Sequence, residues 1–192
     1  MFLLRHGETE WSLCGRHTGR TDVPLTERGC GLAEAAGALG RRLRGDDPLA
    51  LVLSSPRRRA RDTAEQAGLH VDRVDERLAE WDYGGFEGLT TPQIRETVPG
   101  WTVWTHPMPG GETAAEVSVR ADSVLAQARD ALPGGDVVLI GHGHFSRVLI
   151  ARWIGLGAAG GVHFAMEAPS WAVLGHERDA PRLDHVNLRA LG

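Results

Sequence analysis

Four apolar residues in a row, Val137-Val138-Leu139-Ile140, constrain this chain more than any other stretch. A run without polar alternation belongs to a strand covered on both faces, the habit of parallel sheets. Comparable runs recur at Phe2-Leu3-Leu4, Leu49–Leu53 and Trp171–Leu174, with weaker strand candidates at Val71–Val74 and Leu183–Leu188. Helical patterns separate them. Leu32, Ala36, Leu39 and Leu43 form a stripe behind Thr26 as N-cap. Ser54-Ser55-Pro56 offers a cap and a proline at the first helical position of a helix through Ala60, Thr63, Ala64 and Ala67. Thr91–Glu96 reads as a brief helix, Val117 to Leu132 as a longer one, and Phe145–Ile154 as the last. Glu10–Val23 reads as a loop, and Trp101 to Gly111 as an irregular connection over the sheet edge. Strands alternating with helices predict an α/β fold, a three-layer α/β/α sandwich with a mostly parallel central sheet. No repeat, low-complexity tract or linker interrupts it, so residues 1–192 are expected to form a single domain.

Composition narrows the function classes. A net charge of −4 gives no electrostatic reason to bind nucleic acid. No apolar run approaches membrane-spanning length, so no membrane partner is expected. Cys14 and Cys30 are too few for a disulfide framework and suit a reducing compartment. With Arg5-His6 so near the start, no cleavable signal is expected to precede it, and the cytoplasm is the expected location. The 21 basic residues are all arginine. Any anion site here must therefore be built from Arg, His and backbone N–H groups.

Three strand ends carry such residues. The first strand ends in Arg5-His6-Gly7, and the Val137–Ile140 strand ends in Gly141-His142-Gly143-His144. The Leu49–Leu53 strand feeds a helix opening with Arg57, Arg58, Arg59 and Arg61. In a parallel sheet these ends share one edge, where α/β proteins bind ligands. A helix start adds N–H donors and a positive dipole end, suited to an anion. Arginine grips oxyanions bidentately, and a neutral imidazole can attack or relay a proton. Each part has a plainer reading. An arginine run is commonly a solvated helix face, and only one of these arginines need point inward. Gly-His-Gly-His looks like a metal tract. No H-E-x-x-H or carboxylate cluster accompanies it, so no metal is expected. His70, His106, His163, His176 and His185 read as ordinary surface or core residues.

Arg5-His6-Gly7-Glu8-Thr9, followed by Arg16-His17-Thr18-Gly19-Arg20-Thr21-Asp22-Val23-Pro24-Leu25-Thr26, resembles the signature of the histidine phosphatase superfamily. It is similar, more narrowly, to the phosphoglycerate mutase branch. Ser54-Ser55-Pro56 through Arg59-Ala60 and Thr63-Ala64 resembles that branch's second arginine motif. Leu78-Ala79-Glu80-Trp81-Asp82-Tyr83-Gly84 to Glu87-Gly88 resembles its acidic motif. Gly111-Glu112-Thr113 and Ile140-Gly141-His142-Gly143 resemble two further ones. The blocks keep the family's order from residue 5 to about residue 150.

The resemblance implies a phosphoglycerate mutase-like fold and a phosphatase acting through a phosphohistidine on His6. Arg5, Arg59 and His142 would hold the phosphate oxygens. Glu80 would protonate the leaving alkoxide and then activate water. Substrate contacts would include Ser12, Thr18, Gly19, Gly143 and His144. It implies a small phosphorylated substrate such as a sugar phosphate or phosphoglycerate derivative, no cofactor, and a homodimer in keeping with the family. Two departures stand out: Ser12 replaces an asparagine frequent in the family, and His144 replaces a glycine. The His-Gly-His form looks closer to phosphatase members, including acid phosphatases and sedoheptulose-bisphosphatase-like proteins. The short run between the acidic motif and the helix from Thr113 also favours hydrolysis. The alternatives are a phosphoglycerate mutase and a catalytically inactive phosphate-binding protein on the same fold.

Overall fold

The apolar runs fall into one six-stranded sheet in a computed structural model that describes residues 1–190. Its strands are β1 (Phe2–Arg5), β2 (Leu49–Ser54), β3 (Arg73–Val74), β4 (Asp136–Gly141), β5 (Ser170–Glu177) and β6 (Ala180–Leu188), in the order β3-β2-β4-β1-β5-β6. The β3–β2, β2–β4 and β4–β1 pairings are parallel, whereas β5 pairs antiparallel with both β1 and β6. β4 therefore lies inside the sheet with a parallel neighbour on each side, which explains its unbroken apolar run. Its Val137 and Leu139 join one core cluster, and its Val138 and Ile140 join the other.

The helices are α1 (Glu10–Leu13), α2 (Glu27–Arg44), α3 (Arg58–Gln66), α4 (Thr91–Thr97), α5 (Ala114–Ala131) and α6 (Gly143–Trp153). Helices α2 and α3 cover one face around Phe2, Leu4, Val52 and Trp171. Helices α5 and α6 cover the other around Leu3, Leu53 and Leu139, together with Trp81, Trp101 and Trp104. This is the expected three-layer sandwich. No helix among the described residues is long and apolar enough to cross a membrane.

Four local expectations are corrected. The stretch read as a loop contains α1, closed by a capping box between Thr9 and Ser12. Four residues are too few to show helical periodicity. Helix α2 buries Ala33, Ala36, Gly37 and Gly40, while Leu32, Leu39 and Leu43 are only partly covered. A Cβ on Gly37 would lie 2.3 Å from the Ala67 carbonyl oxygen, and one on Gly40 would lie 2.4 Å from the Trp171 ring. Close approach, not leucine burial, selects this face. Helix α3 begins at Arg58 with Arg57 at its N-cap and no side-chain cap, so neither serine caps it and Pro56 precedes it. Helix α6 begins at Gly143, which puts His144 inside its first turn.

Candidate active site

Register brings the three strand ends together. Arg5 pairs with Gly141, and Ser54 with Ile140. Backbone bonds from His6 N to Gly141 O and from Ser55 N to Ile140 O, both 2.9 Å, carry the ladder one residue further. His6, Ser55 and His142 are thus neighbours because β1, β2 and β4 end together.

His6 is 5% exposed, and its Nδ1 lies 2.7 Å from the Gly7 carbonyl oxygen. A carbonyl only accepts, so Nδ1 carries the proton and Nε2 keeps its lone pair. Burial, and then the Arg59 and Arg5 guanidiniums, hold this imidazole well below its usual titration range. The ring is neutral at pH 7, the state a nucleophile requires. The turn behind it is pinned by Gly7 N donating to Thr63 Oγ1 at 2.8 Å. Glu8 ties the turn to α2, accepting from Thr26 Oγ1 at 2.9 Å and from Arg28 at 2.6 Å.

Arg59 is fully buried in the first turns of α3. Its Nε donates to His142 Nδ1 at 3.2 Å, and its Nη atoms reach the carbonyls of Thr18 and Thr21 at 2.9 Å. His142 Nε2 in turn faces Ser55 Oγ at 2.6 Å. Both edges of His142 are occupied, and its ring centre stands 5.2 Å from that of His6. Burial, then Arg59, His6 and Arg5, keep His142 neutral.

Glu80 forms the opposite wall. Its Oε1 accepts from Trp81 N and Phe145 N at 2.8 Å each, and Oε2 accepts from His144 N at 3.0 Å. Two of those donors belong to the first turn of α6, whose free N–H groups and dipole favour a carboxylate. The loop bearing Glu80 is latched by Glu112 and Arg120, which form a two-pronged ion pair at 2.6 and 2.8 Å. Arg120 also donates to the carbonyls of Arg77 and Ala79, and Trp81 Nε1 donates to that of Glu112. The Gly111-Glu112-Thr113 motif thus holds the acidic loop in place.

A cavity of about 200 Å³ lies between these walls. Of the residues singled out from sequence, Arg5, His6, Ser12, Thr18, Glu80, Gly143 and His144 line it. Arg59 and His142 are fully buried and are not among the lining residues, although both lie close around His6. Gly19 is also absent from the lining, because its N–H donates to both carboxylate oxygens of Glu87, at 2.9 and 3.0 Å. Arg5 donates through Nη1 to the Met166 carbonyl, while its Nε is buried without an acceptor among the described residues. Gly143 packs on this guanidinium: a Cβ there would lie 3.0 Å from Arg5 Cζ.

Sequence reasoning missed Gly15, Arg16, His17, Tyr83, Arg147 and Met166 in the lining. Burial lowers His17 to about 4, with Glu87 opposing. Its ring stacks on His144 at 5.8 Å. His144 Nδ1 meets Tyr83 Oη at 2.6 Å, and burial holds that phenol well above its usual range. Burial, then His17 and Arg147, lowers His144 well below the imidazole norm. Arg147 follows His144 by three residues, on the same face of α6, a spacing legible in the sequence.

Residues 1–189 match the family described as the histidine phosphatase superfamily, branch 1. Among curated relatives, an acid phosphatase of Mycobacterium tuberculosis is 53% identical over 98% of this chain and 92% of its own length. A glucosyl-3-phosphoglycerate phosphatase of the same species is 35% identical, covering 90% of this chain and 86% of that protein. Among solved structures, the product of an M. tuberculosis open reading frame superposes with a TM-score of 0.96 at 50% identity, covering 99% of this chain and 97% of that one.

Proposed function

The chain belongs to branch 1 of the histidine phosphatase superfamily, and from that membership we propose that it is a metal-independent phosphomonoester hydrolase built on His6. The observation that carries the reading is the His6 ring. It is neutral, its Nδ1 is fixed by the Gly7 carbonyl, and it lines a cavity opposite a carboxylate.

Nε2 of His6 attacks phosphorus in line with the ester oxygen. The P–N bond forms as the P–O ester bond breaks, and the departing oxygen takes a proton delivered through Glu80, which faces it across the cavity. Arg5 donates to the phosphate oxygens and offsets the charge developing on them. Arg59 and His142, joined to each other and close to His6, add positive potential and hydrogen-bonding capacity for the phosphate oxygens. Ser12, Thr18, Gly143 and His144 complete the contacts with substrate. Water then enters, Glu80 takes one of its protons, and its oxygen attacks phosphorus. The P–N bond breaks, orthophosphate leaves, and Glu80 and free His6 return to their starting states, the water proton taken by Glu80 replacing the one delivered in the first step.

The substrate in this reading is a small phosphorylated metabolite, as the names of the relatives suggest, and the working unit is one domain over residues 1–192. Free Cys14 and Cys30 suit the cytoplasm. Wild type and His6→Ala are compared on p-nitrophenyl phosphate: wild type should release phosphate and the variant should not. Absence of hydrolysis by wild type overturns the reading. Conversion of 3-phosphoglycerate to 2-phosphoglycerate without phosphate release would make the protein a mutase instead.

A further inference from the structure

Resting on that reading, we infer that Tyr83 is a positioning residue: its hydroxyl fixes the ring tautomer of His144, so that the Nε2–H of that ring donates a hydrogen bond to an acceptor oxygen of the substrate.

His144 stands in an aromatic box. Its ring stacks on that of His17 and meets Trp104 and Tyr83 edge-on, with ring centres 5.2 and 5.8 Å away. One polar contact sets the ring's rotation, Tyr83 Oη to Nδ1 at 2.6 Å. Tyr83 is 2% exposed, and Nδ1 is the one partner of its hydroxyl among the described residues. If Nδ1 carried the proton, the phenolic hydrogen would be buried with no acceptor, a state that folded proteins avoid. The phenol therefore donates and Nδ1 accepts. Burial agrees with this: it holds the phenol well above and the imidazole well below their usual ranges, so both are neutral at pH 7. A neutral imidazole has one N–H, which is left to Nε2. That nitrogen makes no hydrogen bond among the described residues, and it is not one of the buried side-chain atoms without a partner. It opens on the cavity that His144 lines.

The backbone N–H of the same residue donates to Glu80 Oε2 at 3.0 Å. His144 thus ties a neutral side-chain donor to the carboxylate that handles the proton. The Tyr83 ring also faces the cavity, but its polar atom is spent on His144. Without that hydroxyl the two ring tautomers compete, and one of them turns a lone pair toward the substrate oxygen.

Nitrogen NMR of the histidine rings tests the tautomer in the wild-type protein, with the His144 signals assigned by their loss in His144→Gln. It should show a protonated Nε2 and an unprotonated Nδ1. A double-mutant cycle on glycerol 3-phosphate, whose leaving group is rich in acceptor oxygens, tests the consequence. Tyr83→Phe should lower kcat/KM about fivefold, the worth of one neutral hydrogen bond. The amide of His144→Gln donates without help from Tyr83, so adding Tyr83→Phe to that variant should change kcat/KM by less than about twofold. A proton on Nδ1 in wild type overturns the inference, whether or not the variants fold. No fall in Tyr83→Phe, or an equal fall in both backgrounds, overturns it too. Hydrolysis of p-nitrophenyl phosphate by wild type, run alongside, keeps either result apart from a failure of the phosphatase reading itself.

Discussion

Nε of Arg59 donates to Nδ1 of His142 across 3.2 Å, inside a core that leaves neither residue any solvent contact. The same guanidinium holds the Thr18 and Thr21 carbonyls, so one side chain fixes both the second histidine and the loop that roofs the cavity. Lysine cannot reproduce that fork. Arg59→Lys should lose roughly 3 kcal/mol of stability, the scale for disrupting a buried charged network. Urea denaturation measures it, and kcat should fall with it.

Arg120 should influence catalysis without touching substrate. It links Glu112 to the carbonyls of Arg77 and Ala79, just before Glu80. Arg120→Met should lower kcat by roughly a hundredfold, because small misplacements of a reacting group have large effects on rate. Removal of the exposed pair Arg182–Glu177, by contrast, should change stability by less than about 0.5 kcal/mol. Steady-state kinetics and denaturation of both variants separate the two cases.

Two glycines should respond in opposite directions. Gly143→Ala pushes a methyl group against Arg5 and should raise KM while lowering kcat/KM at least about tenfold. Gly31, exposed in the second turn of α2, has nothing within 4 Å of a built Cβ among the described residues. Gly31→Ala should stabilise by about 0.5–1 kcal/mol through helix propensity alone. Thermal melts and kinetics check both.

The sheet was legible because apolar runs and turn residues are local signals, and the wall of the cavity because its motifs are local too. What escaped the sequence depends on distance or backbone. Ser55 looked like a helix cap, yet its hydroxyl serves His142, a partner 87 positions away. Met166 enters the site through a carbonyl, which any residue could provide. Gly19 matched a substrate-contacting position, but Glu87 from the acidic motif takes its N–H. Arg147 was one arginine among many until Gly161 and Val162 fixed it over Trp104.

Acid should destabilise the fold in a defined window. His6, His17, His142 and His144 all have lowered pKa values. In the unfolded chain they take up protons as pH falls through about 6.5. The folded protein does not, so the unfolded state binds more protons and stability declines from pH 7 to pH 5. For His17, lowered to about 4, the loss over that window is roughly 2 kcal/mol. His17→Phe should therefore lose about that much less than wild type between the two pH values, as read by urea denaturation. An equal loss would contradict the assignment. Because burial and the Arg59 and Arg5 guanidiniums hold His6 well below the usual imidazole range, phosphorylation of His6 should persist at pH values where a free imidazole is already protonated, as read by rapid-quench labelling.

Trapping the covalent intermediate tests the central claim most directly. Wild type mixed with a 32P-labelled phosphomonoester and quenched in alkali, where phosphohistidine survives, should carry label on the peptide containing His6. His6→Asn should carry none and should not turn over. Label on another residue, or turnover by His6→Asn at the wild-type rate, would contradict the account.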